Sequence, residues 1–313
     1  MNAVEIHNLS KSFGRIQALN DLSFTVPEGA LFGLIGPNGA GKTTAFSVLA
    51  GYLKPNSGSV SVRGEPLLPG QPPRGRIAML PQDAELLPRM KALDVLRLLA
   101  RYDGLSSDEA RIKAQKVLKQ VGLTEQMGQQ KVTTLSHGQR RRIGIAQTLL
   151  GEKEIICLDE PTAGLDPRAA AELRALITSM RGERTIIISS HNLAEIESVC
   201  DHVAILNKGT LVSSGPMAQV CGEAQLVSIQ IDKPMEEPMS VASEIEQLEA
   251  VSSAHWTEDS LQLQLSFAAG TDDEAIVNQV ASLIMSKGGL LKGIDRGKSL
   301  EDKFLEKTKK TNG

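Results

Sequence analysis

Aromatic residues are scarce in this chain: one Trp, two Tyr and six Phe among 313 residues. That removes the stacking platforms on which binding of single-stranded nucleic acid depends. Positive charge is not in excess either, with 34 Lys+Arg against 37 Asp+Glu and a formal net charge of −3. The basic footprint of a DNA- or RNA-binding protein is therefore missing, and no nucleic-acid partner is expected. The three cysteines, Cys157, Cys200 and Cys221, cannot all pair within the chain and have no metal-ligand spacing. They read as reduced thiols of a cytosolic protein. No apolar run approaches the ~18 residues a membrane-crossing helix needs, and residues 1–11 carry no signal-peptide pattern.

What is there exceeds the size at which one core stops growing, so two domains are expected. The charge divides accordingly. Residues 225–313 hold 9 Lys+Arg and 15 Asp+Glu, a balance of −6, whereas residues 1–224 hold 25 and 22, a balance of +3. The boundary is expected near Ala224, past the turn at Cys221-Gly222.

The most informative stretch is Gly36-Pro37-Asn38-Gly39-Ala40-Gly41-Lys42-Thr43-Thr44. It satisfies G-x-x-x-x-G-K-[ST], a pattern that arises by accident in about one chain of this length in a hundred. An apolar run at residues 31–35 reads as a buried strand before it, and residues 45–50 read as a helix after it. Glycines let the backbone close around an anion, so that N–H groups and a helix N-terminus face phosphates. Lys42 supplies a point charge to the β- and γ-phosphates and the Thr43 hydroxyl is a magnesium ligand. A nucleoside triphosphate is the expected ligand.

Elsewhere the pattern alternates. Strands are expected at residues 4–9, 22–26, 58–62, 77–80, 155–158 and 186–188. Helical periodicity runs over 93–122, and further helices are expected over 138–150, 168–180 and 192–200. Asn207-Lys208-Gly209 reads as a hairpin turn. This succession predicts a mostly parallel α/β sheet covered by helices. The last ninety or so residues have their own order, strand 227–231, helix 241–248, strands 251–256 and 261–267, a helix opened by a Thr271–Glu274 capping box, strand 290–294 and helix 300–307. The order βαββαβ predicts a small ferredoxin-like α+β domain.

Several segments add chemistry. The strand Ile155-Ile156-Cys157-Leu158 ends in Asp159-Glu160. Asp159 is placed to hold magnesium, directly or through water, and Glu160 to polarise an attacking water as general base. Leu135-Ser136-His137-Gly138-Gln139 precedes a helix, where a hydroxyl and a bare backbone can approach an anion. Alone it reads as a helix cap. Ala163-Gly164-Leu165-Asp166, His191 and Gln82 read individually as structural or surface residues. Arg140-Arg141-Arg142 reads as a solvated helix face, because consecutive helical residues point about 100° apart.

Taken together, these segments resemble the ATP-binding-cassette (ABC) family of nucleotide-binding subunits, continuously over about residues 4–220. The order is P-loop, glutamine loop at Gln82, signature at Leu135 to Gln139, Asp-Glu strand, Asp loop at Asp166 and switch histidine at His191. Signature and Asp-Glu strand in close succession argue against a GTPase, and Asn207-Lys208-Gly209-Thr210 is no guanine-reading Asn-Lys-x-Asp. Two positions depart from the usual pattern. His137 replaces a glycine, and Phe13 stands where a tyrosine often stacks on adenine. The resemblance implies a cassette at residues 1–224 with N-terminal antiparallel strands and a helical subdomain at about 83–153, followed by an accessory domain at 225–313. It implies ATP and Mg2+ as ligands, with Glu160, His191 and Gln82 at the chemistry and Thr43, Gln82 and Asp159 around the metal. Phe13, residues 36–44, Ser136, Gly138, Gln139 and Asp166 would contact nucleotide.

The resemblance further implies pairing, homo- or heterodimeric, with ATP on Lys42 of one subunit closed over by Ser136 and Gly138 of the other. The expected setting is the cytoplasmic face of a membrane, where the chain powers a separate transmembrane permease whose helix enters a groove at about residues 83–101. The ending Ser299-Leu300-Glu301-Asp302-Lys303-Phe304-Leu305 resembles that of bacterial drug, sodium, lipid or antibiotic exporter subunits. An importer subunit, or a soluble ABC ATPase acting on ribosomes or DNA, are the alternatives. The single cassette, the lack of heptads and the lack of Cys-x-x-Cys speak against the last.

Overall fold

The computed structural model describes residues 1–68, 75–151, 153–221, 226–232, 237–248, 251–257, 261–267, 273–296 and 300. The chain divides into two units, Met1–Pro216 and Met217–Gly313. This division precedes the position near Ala224 suggested by charge, because a short helix ahead of that position belongs with the second unit.

The first unit opens with two long strands, β1 (Asn2–Phe13) and β2 (Ile16–Pro27), which exceed the expected 4–9 and 22–26 because they continue as an antiparallel ribbon to a tight turn at Gly14. Then come β3 (Leu31–Ile35), α1 (Lys42–Leu49), β4 (Ser57–Val62), β5 (Glu65–Pro66) and β6 (Ile77–Leu80). A helical region follows, α2 (Ala92–Tyr102), α3 (Ser107–Gln120), α4 (Glu125–Gly128) and α5 (His137–Thr148). The periodic run 93–122 is thus two helices. Gly104 turns left-handed at φ 93°, and Ser106 starts α3 with a capping box completed by Glu109. The unit closes with β7 (Ile155–Asp159), α6 (Pro167–Ser179), β8 (Thr185–Ser190), α7 (Leu193–Val199), β9 (His202–Asn207) and β10 (Thr210–Pro216).

Two sheets result, an antiparallel one in the order β2-β1-β4-β5 and a six-stranded one in the order β10-β9-β3-β8-β7-β6. In the second, β9, β3, β8, β7 and β6 run parallel and β10 returns antiparallel as the hairpin partner of β9. The two sheets share a core in which Val4, Ile6 and Leu9 meet Phe32, Leu34, Phe46 and Leu49. Phe24 stacks on Phe32 with ring centroids 5.6 Å apart. Burying a side chain of this size contributes about 1.5–3 kcal/mol. β3, β7 and β8 are buried at every position, which is why they read as continuous apolar runs.

Register is what assembles the site. Ile35 pairs with Ser190, Asp159 with Ser189, and Leu80 with Leu158. The chain leaves four neighbouring parallel strands at one level, delivering the glycine loop, Gln82, Glu160 and His191 to one edge. Ligands of open α/β sheets bind at that carboxyl edge.

The second unit begins with α8 (Met217–Cys221) and continues β11 (Leu226–Ile231), α9 (Pro238–Glu246), β12 (Val251–Trp256), β13 (Gln262–Phe267), α10 (Asp273–Ser286) and β14 (Leu291–Arg296). Its sheet order is β12-β13-β11-β14, with each neighbouring pair antiparallel. Val227, Ile229, Trp256, Leu263 and Leu265 from the strands pack with Val241, Ile245, Val280 and Ile284 from the helices. Thr271 of the expected capping box, and the expected helix over 300–307 apart from the buried Leu300, lie outside the described residues. Among the described residues, no helix is long and apolar enough to cross a membrane.

Candidate active site

The glycine loop follows directly from β3 and ends at Gly41, which occupies the N-cap position of α1 at φ 104°. A Cβ at Gly41 would lie 2.6 Å from the Ala18 carbonyl oxygen, and one at Gly36 would lie 2.4 Å from that of Leu206. Both contacts are shorter than real Cβ atoms make, so the loop's path against β2 and β9 requires glycine at these two positions. Lys42, on the first turn of α1, is buried. Its Nζ donates to the carbonyls of Gly36 at 2.7 Å and Pro37 at 3.3 Å. The ammonium is therefore held inside the loop by the loop's own backbone.

A cavity of about 570 Å3 opens here, lined by Phe13, the start of β2, Asn38 to Thr44, Gln82, Glu160 and Lys208. Phe13 is half exposed, and Lys11 Nζ lies 5.4 Å from its ring centre, leaving an aromatic face available to a flat ligand. Glu160, also lining the cavity, is buried. Its Oε1 is 3.7 Å from Lys42 Nζ and its Oε2 2.9 Å from His191 Nδ1. His191 is exposed beyond it.

Glu160 has φ 47°, a left-handed conformation that costs a bulky residue about 1–3 kcal/mol and persists only where the surroundings over-determine it. They do so here. The Glu160 N–H donates to Ser189 Oγ at 2.9 Å, and its carbonyl accepts from Arg141 at 2.6 Å. Ser189 Oγ also donates to Asp159 Oδ1. Asp159 is buried and its Oδ2 has no hydrogen-bond partner among the described residues. An orphaned buried carboxylate oxygen is costly unless something cationic or protic meets it. Thr43 and Gln82, which line the cavity, add a hydroxyl and an amide oxygen, and this donor set suits a hard divalent cation.

Arg141 departs from the expected solvated face. It is buried, and burial pulls its guanidinium below the usual range while Asp159, Asp83 and Glu160 act in the opposite sense. Its neighbours are also engaged. Arg140 donates to the Leu135 carbonyl, and Arg142 donates to the Val121 carbonyl and to Glu172. The reason is that α5 lies between the helical region and the sheet, so this helix has no face turned wholly to water. Arg141 and Ser189 were both missed in the sequence. The one available signal for Ser189 was a hydroxyl pair, Ser189-Ser190, ending an isoleucine strand.

The remaining residues lie apart from this cavity. Ser136 is the exposed N-cap of α5, in a capping box with Gln139. Gln139 N donates to Ser136 Oγ at 3.2 Å, and Ser136 N to Gln139 Oε1 at 2.9 Å. Asp166 caps α6 through Ala169 N at 2.9 Å. Gly138 faces Ala169, since a Cβ there would be 3.4 Å from the Ala169 Cβ. None of Ser136, Gly138, Gln139 or Asp166 lines the cavity around Lys42. A separate groove of about 550 Å3 runs beside Gln82, bounded by Asp83, Leu86, Val132, His137 and Arg140, with Arg141 in its wall.

Residues 19–163 match the family described as ABC transporter. The chain is 35% identical over 248 residues to the Nod factor export ATP-binding protein I of Burkholderia lata, covering 77% of this chain and 80% of that protein. It is 29% identical over 313 residues to the linearmycin resistance ATP-binding protein LnrL of Bacillus subtilis, covering 98% and 99%. Among solved structures it is similar to cbiO1 from Clostridium perfringens, part of the ABC transporter complex cbiONQ. The TM-score there is 0.65 at 29% identity, covering 71% of this chain and 91% of that one. It is similar too to the ATP-binding cassette MJ0796, a dimer in a post-hydrolysis state bound to ADP and Pi. That likeness has a TM-score of 0.61 at 25% identity and covers 68% and 98%.

Proposed function

Since this chain belongs to the ABC transporter ATP-binding family and is an ATPase subunit of a transporter, we propose that it powers an exporter from the cytoplasmic face of a membrane. The observation that carries the reading is one carboxylate, Glu160, held between Lys42 and His191 in a cavity walled by the glycine loop. ATP enters with its phosphates against the loop N–H groups and Lys42, and its base over Phe13. Glu160 orients water and accepts its proton as the water attacks the γ-phosphate. His191 steadies the carboxylate from the solvent side and reaches the γ-phosphate. Asp159, Thr43 and Gln82 would hold Mg2+, which when bound neutralises charge on the β- and γ-phosphates.

The exposed N-terminus of α5 supports a second subunit, because one chain presents a phosphate loop and a signature that do not meet. In the closed pair, Ser136, Gly138 and Gln139 of one subunit contact ATP held by the other, and Asp166 lies beside them. ATP favours closure because it touches both subunits there and only one when they are apart, and hydrolysis removes the difference. The groove beside Gln82 suits a helix from a transmembrane permease. Export is favoured over import by the relatives named for Nod factor export and linearmycin resistance; the exporter-like ending at residues 299–305 lies, Leu300 apart, outside the described residues. We assign the second unit to the ferredoxin-like class on its βαββαβ order.

The test is to purify tagged Glu160→Gln chain with ATP from detergent-solubilised membranes and identify what accompanies it. A multi-helix membrane protein is the expected companion. Ribosomes or DNA-bound proteins in its place would overturn the transport reading while leaving the ATPase.

A further inference from the structure

Arg141 spends its whole guanidinium on backbone. Nε donates to the Pro161 carbonyl at 2.9 Å. Nη1 donates to those of Gln82 at 2.8 Å and Pro81 at 3.5 Å. Nη2 donates to those of Glu160 at 2.6 Å and Asp159 at 3.1 Å. Arginine has five N–H donors in a rigid fork, and here each finds a carbonyl. None is spent on a carboxylate, although Asp83, Asp159 and Glu160 are all near enough to act on its charge. An ordinary buried arginine would be expected to neutralise an acid. From α5 this one joins two segments that are separate in sequence: the Gln82 loop, and Asp159 to Pro161 where β7 ends and the chain turns toward Asp166.

The place where it grips matters. Glu160 sits in a left-handed conformation, at φ 47°, and from it the side chain reaches Lys42 and His191. Its N–H is held by Ser189 and its carbonyl by Arg141 at 2.6 Å and, within the local turn, by the Ala163 N–H at 3.1 Å. Removing Arg141 leaves that carbonyl with only the turn bond from Ala163, and nothing then ties it to α5. Arg141 also stands in the wall of the groove beside Gln82, and it is carried by α5, the helix that Ser136 caps.

We infer that Arg141 is a positioning residue for hydrolysis: it fixes the peptide of Glu160 in its left-handed conformation and ties it to the Gln82 loop and to α5. The inference rests on Glu160 acting as the base. Arg141 does not line the cavity around Lys42 and acts through the residues whose carbonyls it holds. A change at the groove or at the α5 N-terminus is therefore transmitted to the carboxylate through one side chain.

The experiment compares Arg141→Lys, Arg141→Gln and Glu160→Gln with the unaltered full-length chain, measuring ATP affinity, turnover and melting temperature. Lysine keeps the charge but cannot fork. Misplacement of a reacting group by about 1 Å costs on the order of 10²-fold in rate. Arg141→Lys is accordingly expected to lose turnover on that order while ATP affinity stays within about threefold and melting stays close to the parent. Arg141→Gln should show the same separation with a lower melting temperature. If Glu160→Gln is inactive and Arg141→Lys turns over normally, the positioning role is overturned and the base assignment stands. Affinity, stability and turnover falling together in Arg141→Lys would also overturn it, leaving a residue needed only for folding. Normal turnover in Glu160→Gln would overturn both.

Discussion

At the scale of the residue, Glu160 carries most of the functional argument, and Glu160→Gln isolates it. The amide keeps the volume and the approach to Lys42 and His191 but cannot take a proton. Turnover should fall roughly 10²–10⁴-fold, the usual worth of a general base, with ATP still bound. A stopped assay of phosphate release beside a nucleotide-binding titration separates the two; near-normal turnover would remove Glu160 from the base role. The thiols make a different prediction. Cys157 and Cys200 are buried, and burial pushes each from an ordinary value of 9.0 up to about 12. Between those values the unfolded chain ionises these thiols and the folded chain does not. The unfolded state then binds fewer protons, and stability falls as pH rises. Melting temperature should therefore decline from about pH 9 toward 12, and at pH 8 neither cysteine should be alkylated until the chain unfolds. Replacing both by Ala or Ser should flatten that alkaline decline.

At the scale of the element, two helices begin with the same device and only one has a functional task in the proposed pair. Ser106 and Ser136 each cap a helix and each is answered by a capping-box partner, Glu109 and Gln139. Ser106→Ala and Ser136→Ala should each cost about 1 kcal/mol of stability. Only Ser136→Ala should also lower turnover, because in the proposed pair its hydroxyl meets the other subunit's ATP. Chemical denaturation beside an activity assay reads both, and equal turnover in the two variants would reduce Ser136 to a cap. Elements also explain where sequence reading failed. The apolar period over 93–122 carried no mark of its break except Gly104 and Ser106, which act locally. Arg141 read as solvated because helical spacing gives direction around α5 but says nothing of what stands there.

At the scale of the whole molecule, the parallel sheet and its carboxyl edge follow from alternating buried strands and covering helices, and that much was visible in the chain. Buried strands such as β7 and β8 announce themselves by composition, since both faces must be apolar. The assembly has its own readout: ATP should drive Glu160→Gln chains, which cannot reopen by hydrolysis, from a smaller species to a pair in light scattering, and ADP should not. The sequence by itself determined the glycine loop, the caps and the Asp159-Glu160 ending, because each is built from neighbours along the chain whose backbone conformations are local. Only the tertiary structure decided that Glu160 stands at φ 47°, that Asp159 keeps one oxygen unpartnered, and that Arg141 closes on carbonyls from Pro81 to Pro161. Those contacts join positions remote in sequence, and the hydrogen bonds that create them exist only once strand register has brought β6, β7 and β8 to one level.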